Sequence, residues 1–261
     1  IYPGVTGGDG IRLTGTNTIG EKSVIENSGK IVGGEGRTAG GNGISVTINN
    51  TTVTNKAGAS IAGGTSSNTW WEEGLGGYGV YLKAADLTFV NEAGATVSGG
   101  DATPTDDNRY VTGGTGLWVG QTSSLTINGS ISGGNALATG RSGESITGGD
   151  GIYYLTNANM TFTNNAVLSG GAATGRDANT TIPDFASLNI QGGAGFSVTN
   201  TSNENIEITT NVSITGGKAT GRNTNTYLAI TGKTHNTGGQ GLLINNSGPR
   251  FVTLPKPSPT Q

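Results

Sequence analysis

The fold is decided by residues 76–100, which read GGYGVYLKAADLTFVNEAGATVSGG. A triple-glycine motif opens this stretch at Gly76, and a double glycine closes it at Gly99 and Gly100. Three runs between them alternate apolar and polar residues: Val80-Tyr81-Leu82, Leu87-Thr88-Phe89 and Ala95-Thr96-Val97. Alternation with a period of two predicts short β-strands that bury one face.

The same arrangement repeats along the chain. The motif Gly-Gly-x-Gly, followed by an apolar residue, opens seven units that start near residues 7, 40, 76, 113, 148, 192 and 238. An apolar-x-Gly-Gly motif, first seen at Ile31 to Gly34, lies between each neighbouring pair. Asn, Gly and Ser cluster between the alternating runs, as turns require. Repeats of this length predict a stack of similar units.

Three strands per unit, with a turn after each, predict an all-β fold, a right-handed parallel β-helix (solenoid) of about seven coils. We assign residues 1–248 to this fold and the Pro-containing segment 249–261 to a tail or linker. Equivalent strands of successive coils stack about 4.8 Å apart, which gives a rod on the order of 35 Å tall. Glycine supplies positive φ at the corners of such a fold and allows the coils to pack closely.

The composition excludes several classes of protein. Of the 261 residues 49 are glycine, but glycine does not recur at every third position, so the chain is not a collagen. Cysteine is absent, which excludes disulfide frameworks, zinc sites on thiolates and thiol catalysis. No apolar run is long enough for a membrane helix. A net charge of −3 gives no support for nucleic-acid binding.

The sequence predicts no metal, cofactor or catalytic site. Calcium-binding β-rolls carry Asp two residues after the third glycine, where this chain has residues such as Arg12, Ser45 and Tyr81. β-Helix enzymes that degrade polysaccharides gather carboxylates on one face. Asp9 and Asp150 share a motif position, but they are expected to lie far apart along the rod. We therefore expect no enzymatic activity and keep such an enzyme only as a third alternative.

A basic strip is the first candidate binding site. Insertions follow the double glycine, so one corner of the coil varies in length, and Gly-Arg pairs recur there. Arginines stacked at this corner would bind the sulfate or carboxylate groups of an acidic glycan, or would simply be solvated turn residues. The arginines concerned are Arg37, Arg141, Arg176 and Arg222.

Aromatic residues form the second candidate site. Tyr81, Trp118 and Tyr153 occupy the same outward position of successive first strands, which predicts an aromatic ladder. Such a ladder either binds sugar rings or protein, or only stabilises the stack. The insertions carry further aromatic and basic candidates, namely Trp70, Trp71, Arg109 and Tyr110.

Asparagine recurs in the turns, for example at Asn49, Asn50, Asn164 and Asn165. Stacked Asn side chains hydrogen-bond to one another along the axis of a β-helix. We therefore expect these residues to stabilise the fold and not to bind a ligand.

Three repeated motifs, Gly-Gly-x-Gly-Ile, Leu-Thr-Ile/Phe and Ile-Ser-Gly-Gly, resemble those of bacterial autotransporter passenger domains. The resemblance covers about residues 7–248 and is to the pertactin-like and self-associating adhesins in particular. It implies secretion, display on the bacterial cell surface from the outer membrane, and a role in adhesion, virulence or biofilm formation. The implied partners are host glycans, an extracellular-matrix protein or another copy of the chain, without membrane insertion of this segment.

Overall fold

The strands of the protein form five parallel sheets, which we name A to E in the order in which one unit contributes to them. The computed structural model describes residues 5–18, 21–67, 73–104, 110–121, 123–138, 145–157, 160–175, 188–201, 205–220, 234–245 and 250–253. These residues are all-β, and among them no helix is long and apolar enough to cross a membrane. In every sheet the strands follow the order of the units, so equivalent residues of successive units are neighbours.

Sheets A, B and C correspond to the three strand positions that the alternation predicts. Sheet A follows the triple glycine and contains Ile11–Leu13, Ile44–Val46, Val80–Leu82, Leu117–Gly120, Ile152–Thr156, Phe196–Asn200 and Leu242–Asn245. Sheet B contains Ser23–Asn27, Thr51–Asn55, Leu87–Asn91, Ser123–Ile127, Met160–Asn164, Ile206–Thr210 and Arg250–Thr253. Sheet C contains Lys30–Val32, Ser60–Ala62, Thr96–Ser98, Ser130–Ser132, Leu168–Ser169 and Ile214–Thr215. The last strand of sheet B therefore lies within the segment 249–261.

Two further strand positions lie between the double glycine of one unit and the triple glycine of the next. Sheet D contains Ala136–Leu137, Ala173–Thr174 and Ala219–Thr220. Sheet E contains Gly74–Leu75, Tyr110–Thr112, Ser145–Thr147, Leu188–Gln191 and Thr234–Thr237. The expected three strands per unit are thus corrected to five strand positions. The two additional strands are short, and sheet D buries mainly alanine, so their alternation is weak in the sequence.

The main core lies between sheets A, B and C. Each unit adds a few large apolar side chains, and the neighbouring units cover them. The inward column of sheet A consists of the fully buried Ile44, Val80, Leu117, Ile152 and Phe196. Across the core the rings of Phe196 and Phe162 of sheet B are tilted at 60°, with centroids 4.7 Å apart. Sharing of the core between units explains how a glycine-rich chain buries enough apolar surface to fold.

A second, smaller core lies between sheets D and E. Ile146 and Ile190 of sheet E are almost completely buried in it. The remaining members are Ala102, Val111, Ala136, Ala138 and Ala173. The corner that the sequence analysis assigns to insertions is therefore a packed lobe of its own, and the variation in length lies between its two sheets.

The repeated glycines separate the two cores. Glycines after sheet C and glycines before sheet A hydrogen-bond to one another through their backbones in an unbroken series, with N–O distances of 2.7–3.0 Å. Each glycine nitrogen donates to the carbonyl oxygen of the previous member of the series. The members are Gly8, Gly34, Gly41, Gly64, Gly77, Gly100, Gly114, Gly134, Gly149, Gly171, Gly193, Gly217 and Gly239. We call this series the glycine spine.

The spine requires glycine because two backbones approach each other without room for a side chain. A Cβ atom placed on Gly100, for example, would overlap the carbonyl oxygen of Gly64. The glycines with left-handed backbone are different ones, such as Gly58 with φ 77° and Gly94 with φ 79° in the turns between sheets B and C. Close approach, and not positive φ, is therefore the reason for the phased glycines.

Buried asparagines join the units at the end of sheet B. The side-chain amide of Asn27 donates to Oδ1 of Asn55, and that of Asn55 donates to Oδ1 of Asn91, each at 2.9 Å. Asn164 repeats this position two units later and donates to the hydroxyl of Thr210 at 3.4 Å. The expected structural role of stacked asparagine is confirmed at this turn.

Candidate functional site

The outer face of sheet A carries stacked aromatic side chains. Tyr81, Trp118 and Tyr153 are paired in register on neighbouring strands, and all three are partly exposed. The ring centroids of Tyr81 and Trp118 are 4.6 Å apart, and those of Trp118 and Tyr153 are 6.3 Å apart. The three residues thus form the ladder that the alternation predicts.

Tyr78 is a fourth member, which the sequence analysis misses. It occupies the variable position of the triple-glycine motif, and its ring stacks on that of Tyr81 with centroids 5.3 Å apart and planes at 9°. Its ring centroid is 6.5 Å from that of Trp118. The three-residue spacing between Tyr78 and Tyr81 is the signal that could have identified it. We call Tyr78, Tyr81, Trp118 and Tyr153 the aromatic strip.

Small neighbours set the position and the extent of the aromatic strip. Trp118 lies over Gly120, where a Cβ atom would come within 2.7 Å of the indole ring. In the column that contains Tyr81 and Tyr153, the adjacent units place Ser45 and Ser197. Both serines are buried, so the strip is confined to the three units between them.

The pKa of Tyr78 is raised by burial and, to a smaller extent, by the phenol groups of Tyr81 and Tyr153. We name each unit by the residue at which it starts. Tyr78 lies in unit 76 and Tyr153 in unit 148, and the unit that contains Trp118 lies between them. The ring contacts from Tyr78 through Tyr81 and Trp118 to Tyr153 join the four side chains into one continuous surface. An aromatic surface of this kind, held on a rigid sheet, is suited to bind sugar rings, apolar groups or cations.

A second column runs beside the strip and consists of the variable residues of the triple-glycine motifs. Backbone hydrogen bonds between successive motifs make Tyr78, Thr115 and Asp150 direct neighbours in this column. The carboxylate of Asp150 accepts a hydrogen bond of 2.7 Å from the backbone nitrogen of Ala194 in the next unit. Thr115, the smallest of the three side chains, thus lies between an aromatic ring and a carboxylate.

Asp150 is the acidic residue beside the aromatic strip. Burial raises its pKa to about 6, although the hydrogen bond from the Ala194 nitrogen acts in the opposite direction. Asp9 occupies the same motif position and binds Asn42 N through Oδ1 at 2.8 Å, and its Oδ2 pairs with Nε of Arg12 at 2.7 Å. In the described part of the chain Asp150 has no such ion-pair partner.

The other described candidates lie away from the aromatic strip. Arg37 is exposed and follows Gly36, which aligns with Ala136 along sheet D. Tyr110 is exposed on sheet E and pairs with Ser145. The remaining predicted site residues lie outside the described residues: Trp70, Trp71, Arg109, Arg141, Arg176 and Arg222.

Comparisons with protein-family models, with curated proteins and with solved structures give no match. Within the described ranges, no group of three or more His, Cys, Asp or Glu residues is placed to hold a metal ion. The aromatic strip and the adjoining Asp150 therefore carry the functional inference.

Proposed function

We propose that this chain is a non-catalytic adhesion module of a bacterial surface protein, which binds a host glycan or an extracellular-matrix protein. In this proposal the five sheets wind as a right-handed parallel β-helix of about seven coils, displayed from the outer membrane in the manner of an autotransporter passenger. The observation that carries the proposal is the partly exposed aromatic strip on sheet A.

The strip is larger than the fold requires. The same column of sheet A contains Ser45 and Ser197, and these units stack without an aromatic ring. Aromatic pairs contribute about 0.5–1.5 kcal/mol beyond their burial, so the strip also stabilises its own three units. Exposed Trp and Tyr residues are nevertheless the side chains that most often dominate binding energy at interfaces.

The scaffold favours recognition by a preformed surface. Tyr81, Trp118 and Tyr153 lie on strands that are hydrogen-bonded to neighbours on both sides, and their inward neighbours Val80, Leu117 and Ile152 are fully buried. Rings held in this way lose little conformational entropy when a ligand binds. A flat, rigid surface of this type suits an extended ligand that lies along the stack.

The experiment is a binding screen of the purified chain against a glycan array and immobilised matrix proteins. Trp118→Leu is expected to weaken binding at least about tenfold, because it removes the central ring of the strip. Tyr110→Leu, which removes an exposed ring of sheet E, is the matched control and should bind as wild type does. Equal binding by the Trp118 and Tyr110 variants would contradict the assignment of the site to the strip.

Self-association is a second proposal, favoured by the outer face of sheet B. From unit 40 to unit 148 the described side chains of this face are uncharged and partly or fully exposed: Thr52, Thr54, Thr88, Val90, Ser124, Thr126 and Thr163. If two copies meet on this face, Thr126→Lys combined with Thr163→Lys should abolish the dimer in analytical ultracentrifugation. Thr47→Lys, at an exposed position just beyond sheet A, is the control.

A further inference from the structure

Asp150 carries a negative charge that the fold does not need. Its structural task is to accept the hydrogen bond from Ala194 N. Asn42 performs the same task at the same motif position, because its Oδ1 accepts a 3.0 Å hydrogen bond from Tyr78 N. A half-buried carboxylate without a cationic partner opposes folding, whereas the neutral amide does not. A charged residue kept at such a position points to a ligand.

The first unit shows which kind of group this carboxylate accepts. The second oxygen of Asp9 is bound by the guanidinium of Arg12, three residues along the chain. In unit 148 the residue three positions after Asp150 is Tyr153, so an aromatic ring replaces the cation. The carboxylate is retained while the positive group is not supplied by that strand.

Among the described residues, the neighbours of Asp150 are uncharged. Its backbone neighbours in the adjacent units are Thr115 and Ala194, and Gly133 lies across the glycine spine. Tyr153 follows on its own strand. None of these residues carries a positive charge, so no described neighbour compensates the carboxylate.

Aromatic rings complete the surroundings. Tyr78 and Asp150 are the two column neighbours of the small Thr115, and Trp118 and Tyr153 continue the strip beside them. Aromatic faces attract cations through their quadrupole. A carboxylate next to several rings is the combination that recognises ammonium groups.

We propose that Asp150 and the aromatic strip bind an ammonium group of the ligand next to Tyr153, the residue that takes the place of Arg12 in this unit. This inference rests on the proposed adhesive function and defines the chemistry of the partner. The ammonium group is either primary, as in a lysine side chain, or quaternary, as in a choline head group.

The experiment titrates the full chain, labelled with ¹⁵N, with three small probes and follows the indole N–H signal of Trp118 by NMR. n-Butylammonium represents a primary ammonium group, and choline represents a quaternary one. 3,3-Dimethylbutanol, which has the shape of choline without its charge, is the neutral control. The probe with the higher affinity identifies the class of ammonium group.

Two variants test the role of the carboxylate. Asp150→Asn should fold, because Asn occupies the equivalent position 42, and should bind the preferred ammonium probe at least about tenfold more weakly. Tyr153→Arg should abolish binding, because it reproduces the spacing of Asp9 and Arg12 and supplies an internal cation. Asp9→Asn is the matched control, and its affinity should be that of wild type.

Either of two results would overturn the proposal: shifts with the preferred ammonium probe that are no larger than those with 3,3-dimethylbutanol, or unchanged binding of that probe by Asp150→Asn. The outcome is distinguishable from failure of the adhesive function. If Asp150→Asn adheres to the array ligand as wild type does, ammonium recognition is wrong and adhesion stands. If wild type binds the ammonium probe but adheres to no glycan or matrix protein, the site stands and the adhesive function is wrong.

Discussion

The backbone nitrogen of Gly100 donates a 2.8 Å hydrogen bond to the carbonyl oxygen of Gly77, and this contact joins the two glycine segments that separate the cores. A Cβ atom on Gly100 would overlap the carbonyl oxygen of Gly64. Since backbone cannot move aside as a flexible side chain does, Gly100→Ala is expected to lower the free energy of unfolding by about 3 kcal/mol or more. Urea denaturation followed by circular dichroism measures this loss.

Gly8→Ala is the matched control for that prediction. Gly8 belongs to the same spine, but a Cβ atom there meets no atom within 4 Å. Its substitution should change the free energy of unfolding by less than about 1 kcal/mol, because alanine also restricts the unfolded chain. A loss as large as that of Gly100→Ala would show that steric exclusion is not the reason for the glycine.

The charge on Asp150 should make stability depend on pH in an unusual direction. Its pKa is raised from 3.8 to about 6 in the folded protein, so between these values the folded state binds a proton more tightly than the unfolded state does. The contribution of Asp150 is therefore most favourable at low pH and is lost as the pH rises through about 6. A shift of this size corresponds to about 3 kcal/mol.

Asp150→Asn isolates that effect. At pH 7.5 the variant should be more stable than wild type by up to about 3 kcal/mol, and at pH 4 the difference should be close to zero. Asp9→Asn should give no such gain, because it removes the partner of Arg12. Thermal unfolding of the three proteins at several pH values makes the comparison. A pH-independent difference for Asp150→Asn would contradict the prediction.

The second core should contribute to stability although it lies in the variable segments. Ile146 of sheet E is 1% exposed, as is Ile131 of sheet C in the main core. Ile146→Ala and Ile131→Ala are each expected to cost about 2–5 kcal/mol. If Ile146→Ala costs less than about 1 kcal/mol in urea denaturation, the lobe formed by sheets D and E does not unfold together with the main core.

Buried and exposed asparagines that hydrogen-bond between units should differ in their contribution to the free energy of unfolding. Asn55 is fully buried and bonds to Asn27, to Asn91 and to the carbonyl oxygen of Thr96. Asn55→Ala leaves these polar groups buried without a partner, so a loss of about 2–4 kcal/mol is expected. Asn165→Ala interrupts a second, exposed ladder, in which water replaces the lost partner, and should cost less than about 1 kcal/mol.

Much of the fold could be predicted because the main core is built from alternating strands with large apolar residues. In Leu87-Thr88-Phe89 the two apolar side chains are buried and the threonine between them is partly exposed. The spacing of the glycine motifs predicts the length of the unit, and the register of the aromatic ladder follows from that length. Strand alternation and the spacing of the glycine motifs can both be recognised from the order of residues along the chain.

Sheets D and E could not be predicted from alternation, because sheet D buries small residues and the short strands of sheet E follow segments of variable length. A weaker signal exists, since a small residue follows two positions after most double glycines, as at Ser66, Ala102, Ala136 and Ala173. Each of these residues pairs with its equivalent in the next unit. Reading this position as inward would have identified sheet D.

The candidate site was predicted only in part. The positions of Tyr81, Trp118 and Tyr153 follow from strand alternation, which requires no knowledge of neighbouring chain segments. Tyr78 and Asp150 occupy the variable position of the triple-glycine motif. The direction of a side chain at this position depends on how separate units stack. The environment of Asp150 is defined by Thr115 and Ala194, and these residues are neighbours only because the units stack.

The glycine spine has a consequence for how this molecule can change in evolution. Every hydrogen bond of the spine joins two backbone groups and does not depend on side-chain identity. One unit can therefore be duplicated or deleted without a matching substitution in the spine. Gene segments that encode whole units can therefore be exchanged. The stack can lengthen or shorten by recombination, while the three units that bear the aromatic strip are inherited intact.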